Sequence, residues 1–150
     1  MKNITFKKTA LLSFVLMMTL LIGSYFWADY ETTDLNPAVR SQLGIKSVEL
    51  KYGATHYELI GNDTADTVVL VHGFSTPNTI WDKNVNSLLA AGFRVLRFDL
   101  YGRGFSDRPE LNYTLDVFVE QLKELSETLK IKKPFHLVGI SMGGCHKCKV

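Results

Sequence analysis

The sequence predicts an α/β fold built on a mostly parallel sheet, with a separate apolar helix ahead of it. Two patterns carry that reading. Apolar or β-branched runs at Thr67 to Val71, Phe93 to Leu100 and Phe135 to Gly139 have the character of strands buried on both faces. Segments with helical spacing, Ile80 to Ala91 and Thr114 to Leu129, alternate with them. Strand–helix–strand–helix–strand implies parallel neighbours joined by right-handed crossovers.

The elements follow in order. Lys2, Lys7 and Lys8 precede Ala10 to Ala28, nineteen residues without a charge. As a helix they would span about 28 Å, close to the hydrocarbon core of a bilayer. With Tyr25, Phe26 and Trp27 as an interfacial aromatic belt, residues 1–28 read as a signal anchor. A cleaved signal peptide is the alternative, although Phe26-Trp27-Ala28 and Ile22-Gly23-Ser24 make poor cut sites. Basic residues ahead of the span place the remainder outside the cytoplasm. Residues 29–44 are polar, contain Asn36-Pro37 and read as a linker. A partial domain is expected over 45–150.

Within it, Ser47 to Lys51 and Thr55 to Ile60 flank Tyr52-Gly53-Ala54 as a β-hairpin. Gly61-Asn62-Asp63 is a turn. The first helix should place Ile80, Val85, Leu88 and Leu89 on one stripe and stop at Gly92. The second has Thr114 as N-cap and an apolar stripe of Leu115, Phe118, Val119, Leu122, Leu125 and Leu129. Pro134 opens the last strand.

Composition narrows the function. A net charge of +2 from 17 basic and 15 acidic residues gives no case for nucleic acid. Cys145 and Cys148, the two cysteines, form a lone C-x-x-C with no second ligand pair, so neither a metal nor a disulfide framework is expected.

The chemistry sits in three loops, each after one of the predicted strands, where ligands bind in open α/β sheets. Gly139-Ile140-Ser141-Met142-Gly143 is G-x-S-x-G, the pattern of a nucleophile elbow, with Ser141 as nucleophile. Its glycines permit the close backbone approach that such a strained turn needs. His72-Gly73-Phe74-Ser75 follows the first strand. The backbone N–H groups of Phe74 and Met142 are the candidate oxyanion donors. His72 precedes the serine, the wrong chain order for a base, and with Gly73 is expected to shape the loop. Asp99 to Pro109 forms the middle loop, turned by Gly102 and Gly104 and anchored by Asp99. It fails G-x-G-x-x-G, so it is no phosphate loop.

These three segments, Val71-His72-Gly73-Phe74, Asp99 to Pro109 and Gly139 to Gly144, resemble the α/β-hydrolase fold superfamily, in its serine-nucleophile esterase, lipase and carbon–carbon hydrolase branch. The resemblance covers about Val48 to Gly144, the N-terminal half of such a domain. It implies a carbonyl substrate such as a small-molecule or lipid ester, no metal and no cofactor. It also implies an acid and a histidine after the serine. Here Cys145-His146-Lys147-Cys148-Lys149-Val150 follows instead, so the chain is expected to be truncated and inactive as it stands, an enzyme by resemblance only. A non-catalytic, membrane-bound remnant is the alternative.

Overall fold

The computed structural model describes residues 2–28, 35–132 and 134–148, with side chains for 8–28, 35–132 and 134–144. The chain divides into two units, one up to Asp34 and one from Leu35. The first holds helix α1 (Lys2–Trp27). Its segment Lys8–Trp27, 20 residues, is long and apolar enough to cross a membrane. The Thr19 hydroxyl bonds back to the Val15 and Leu16 carbonyls, and the Ser24 hydroxyl to Leu21. These polar side chains therefore find their partners within the helix itself.

The second unit begins earlier than expected. Pro37–Gln42, assigned above to the linker, forms a short helix, α2. Asn36 caps it by accepting from the Val39 amide at 3.0 Å, and Pro37 occupies the first turn, where no N–H is needed. Arg40 on this helix is buried and donates to Asp107 at 2.6 Å and to the Phe105 carbonyl at 3.1 Å. Residues 35–44 are thus part of the folded unit. Residues 29–34 of the proposed linker lie outside the described residues.

Strands β1 (Ser47–Leu50) and β2 (Gly53–Ile60) form the antiparallel hairpin. They lead into β3 (Thr67–Val71), β4 (Arg94–Phe98) and β5 (His136–Gly139). The sheet order is β1-β2-β4-β3-β5, with β3 parallel to both β4 and β5 and β2 antiparallel to β4. Side-chain alternation splits β3 between two apolar layers. Val69 and Val71 join Leu96, Phe98, Phe118, Leu122 and Leu125 on one face, whereas Val68 and Leu70 join Val85 and Val95 on the other.

Helix α3 (Asp82–Ala90) is preceded by a 3₁₀ turn, Asn78–Trp81. Ile80 falls in that turn and is exposed, so it leaves the stripe expected for it. The helix ends in a Schellman motif: Gly92 N–H bonds Leu89 O, Phe93 N–H bonds Leu88 O, and Gly92 has φ +87°. Helix α4 (Leu115–Thr128) buries Phe118, Val119, Leu122 and Leu125, leaving Leu115 exposed. Thr114 stands at the N-cap position with extended backbone, but its side chain makes no capping bond. The α4 end repeats the Schellman pattern with Lys130 at φ +53°.

The last strand departs from expectation. Its residues alternate between exposed and half-buried, and Val138 and Ile140 are exposed. Among the described residues β5 pairs with β3 on one side only, which makes it an edge. An apolar run reports what a strand can bury, not which neighbours cover it.

Candidate active site

Ser141 follows β5 directly and has φ +53°. A non-glycine residue there costs roughly 1–2 kcal/mol, so the surroundings must impose it. They do so by backbone packing. A Cβ on Gly139 would collide with the Gly143 carbonyl, and one on Gly143 with the carbonyls of Val71 and His72. Ile140 N–H donates to Val71 O at 3.2 Å, and Gly143 N–H to Ile140 O at 2.9 Å. A 3₁₀ helix, Ser141–Cys148, then runs on from the turn. Ser141 is left exposed at the end of the sheet.

The loop after β3 lies against it. A Cβ on Gly73 would stand 3.1 Å from Ser141 Cβ and 3.6 Å from Oγ. His72 is fully buried, with Nδ1 2.7 Å from the Gly73 carbonyl and Nε2 2.9 Å from the Leu100 amide. Since the amide can only donate, Nε2 accepts and Nδ1 carries the proton. Both ring nitrogens are therefore committed to backbone. The bond to Gly73 has a further effect. Gly73 C=O and Phe74 N–H belong to one planar trans peptide and point in opposite directions. Fixing the carbonyl toward His72 turns the Phe74 N–H away from it. That N–H makes no hydrogen bond among the described residues. On its other side the Phe74 carbonyl accepts from Arg103 Nε at 2.7 Å, and the guanidinium lies 4.4 Å from the exposed ring. Met142 follows the serine, half-buried and packed on the α4 side of the sheet.

Asp99 is buried at the end of β4 and holds the middle loop. Its carboxylate accepts from the Asn78 amide at 2.7 Å, the Phe105 amide at 3.0 Å and His56 Nδ1 at 2.8 Å. Burial alone would raise its pKa. The hydrogen bonds from His56, Asn78 and Phe105 outweigh burial and hold it below the usual carboxylate range. Gly104 has φ +50° and lies so close to Asp99 that any Cβ would overlap the carboxylate. Gly102, at φ +77°, passes under the Tyr113 ring. Ser106 donates to Asp99 O at 2.6 Å and accepts from the His56 amide, so Ser106 is a structural tie.

No described histidine side chain reaches Ser141. His56 lies on β2, three strand spacings from β5, about 14 Å away. His136 begins β5, five residues or about 16 Å from the serine, and its ring packs on Phe93. The His146 side chain lies outside the described set.

Three contributors were not singled out from the sequence. The His56–Asp99 bond joins residues 43 apart. Gln121, buried on α4, donates to Thr55 and to the Asp99 carbonyl and accepts from the Tyr101 amide. Arg40 secures Asp107, which in turn accepts from the Ala54 amide at 2.8 Å. A polar residue inside the apolar stripe of α4 was a usable signal for Gln121; the other two had none.

The sheet order and the turn into Ser141 define an α/β-hydrolase type of domain. The model of the alpha/beta hydrolase family matches residues 68–146, and the chain belongs to that family. It is 39% identical over 110 residues to a 2-hydroxy-6-oxononadienedioate/2-hydroxy-6-oxononatrienedioate hydrolase of Cupriavidus pinatubonensis, covering 65% of this chain and 36% of that protein. Among solved structures it resembles the enol-lactonase of Burkholderia xenovorans, at 31% identity and TM-score 0.63, over 67% of this chain and 39% of that one. It also resembles an esterase from Exiguobacterium antarcticum, at 30% identity and TM-score 0.64, over 69% and 38% of the two chains. The chain thus spans little more than a third of the length of these relatives.

Proposed function

We propose that Ser141 is the nucleophile of a serine-dependent hydrolase acting on carboxylic esters or related carbonyl substrates. The observation that carries this reading is the exposed, positive-φ serine wedged against Gly73. Such strain persists only where the structure over-determines it, and it clusters at reactive groups. Ser141 Oγ attacks the carbonyl carbon, and the N–H groups of Phe74 and Met142 hold the oxygen as it gains charge. One such donor is worth about 3 kcal/mol of barrier. The lactonase and esterase likenesses support an ester-type substrate, and the Cupriavidus relative keeps carbon–carbon cleavage in range.

Attack needs a base to take the serine proton, and no described imidazole is placed to do so. The 150-residue chain is therefore expected to hydrolyse p-nitrophenyl acetate no faster than its Ser141→Ala variant. Turnover that depends on Ser141 would sink the inactivity. A form of the protein supplying an acid and a histidine should be labelled at Ser141 by a fluorophosphonate. Labelling that survives Ser141→Ala would sink the nucleophile itself.

The apolar helix supports a location. Residues 10–28 are proposed to anchor the chain in a membrane, with the hydrolase unit on the extracytoplasmic side. The intact chain should then stay with membranes through carbonate extraction. Recovery of a soluble form starting near Tyr25 or Asp29 would establish a cleaved signal instead.

A further inference from the structure

The two peptides that flank the Phe74 Cα are both held at their carbonyls, and both ties run back to Leu100. On one side the buried Leu100 N–H donates to His72 Nε2 at 2.9 Å, and His72 Nδ1 bonds the Gly73 carbonyl at 2.7 Å. On the other side the Leu100 carbonyl accepts from the Arg103 N–H at 3.0 Å, and Arg103 Nε donates to the Phe74 carbonyl at 2.7 Å. Only the φ and ψ of Phe74 lie between these two planar peptides. Tying both carbonyls therefore fixes the direction of the Phe74 N–H.

The two ties differ in kind. His72 is fully buried, whereas Arg103 is half-buried and reaches the loop across its surface. Phe74, Ser75 and Thr76 are exposed, and among the described residues the bond from Arg103 is the one hydrogen bond they make. The guanidinium also lies 4.4 Å from the Phe74 ring, so one planar group holds the carbonyl and the side chain together. Arg40, Arg94 and Arg97 bond carboxylates. The described partners of the Arg103 side chain are instead the Phe74 and Gly102 carbonyls and that ring. Its backbone is fixed by the turn it sits in. Ser106 N–H donates to the Arg103 carbonyl at 3.1 Å, and Gly102 and Gly104 on either side have positive φ.

We propose, resting on the reading of Ser141 as nucleophile and Phe74 as oxyanion donor, that Arg103 is a positioning residue for that donor. It acts through Phe74, holding the N–H in the direction in which it meets the developing negative charge. Lysine cannot take its place. A single ammonium cannot bond the carbonyl and lie flat on the ring at once, as the planar guanidinium does.

The test is backbone NMR of the full chain in phosphocholine micelles, read at the Phe74 and Met142 amides. In the wild type the Phe74 N–H should be rigid, with an order parameter of about 0.85. Arg103→Ala and Arg103→Lys should both lower it below about 0.6 while Met142 stays rigid. Benzeneboronate at mildly alkaline pH supplies the second readout. It esterifies the Ser141 hydroxyl with release of water, and hydroxide from solution completes a tetrahedral anion, so no imidazole is needed. In the wild type both amide protons should shift downfield. In Arg103→Ala the Phe74 shift should be lost and the Met142 shift kept. Boronate should bind about tenfold more weakly there, short of the roughly 100-fold or more for deleting a donor outright. A Phe74 amide that stays rigid in Arg103→Ala or Arg103→Lys, or boronate binding equal to wild type, overturns the role of Arg103 alone. Wild-type amides that ignore benzeneboronate, or shifts that survive Ser141→Ala, overturn the nucleophile reading and the proposal with it.

Discussion

Asp99→Ala is expected to destabilise the hydrolase unit by about 3–5 kcal/mol, the range for removing one partner of a buried, hydrogen-bonded charge. The substitution strands the Asn78 and Phe105 amides and His56 Nδ1 together, in a site with almost no access to water. The loops after β3 and β4 both lose their tie, because Asn78 belongs to one and Phe105 to the other. Asp99→Asn separates shape from charge. It keeps the volume but turns an NH2 toward donors that a carboxylate satisfied. The sign of the acid response follows from the lowered pKa of Asp99. Its contribution is fully present above the unfolded carboxylate value, near 3.9. It is lost as pH falls through the lower folded value. Urea unfolding of the full chain between neutral and acid pH should show this slope in the wild type and a shallower one in Asp99→Asn. Equal slopes, or an Asp99→Ala variant within about 1 kcal/mol of wild type, would remove Asp99 as the hub of these loops.

Much of this architecture could be read before the structure, for reasons that differ by element. Strand β3 was readable because an unbroken β-branched run has few alternatives, and its bounds, Thr67–Val71, are those expected. The end of α3 was readable because Gly92 supplies the positive φ that a Schellman motif needs. Helix α2 was overlooked because its polar composition outweighed Asn36-Pro37, which is also an N-cap followed by proline at the first turn. The exposure of β5 depends on neighbours that a local pattern does not encode. The His56–Asp99 bond was hidden by topology. Strand β4 inserts between β2 and β3, so the two residues become neighbours only through the order β2-β4-β3. Motif spacing located Ser141, but its positive φ emerges from contacts that Gly139 and Gly143 make with distant backbone.

Gly143→Ala tests that last relationship most sharply. Gly143 is not at positive φ, so an alanine there meets no intrinsic backbone penalty. The cost comes entirely from where the new methyl would lie, on the carbonyls of Val71 and His72. Backbone at the end of a fully buried strand has little room to retreat, since β3 is hydrogen-bonded to both β4 and β5. The expected loss is about 3 kcal/mol, at the upper end for overpacking. Hydrogen exchange should accelerate at Ile140 and Gly143, whose amides bond Val71 O and Ile140 O. Gly92→Ala is the informative comparison. Its Cβ would meet open space, yet the position has φ +87°, so its cost is purely conformational, about 1 kcal/mol. If Gly143→Ala proves no costlier than Gly92→Ala, the elbow can widen. Its glycines would then not be what holds Ser141 in its strained backbone conformation.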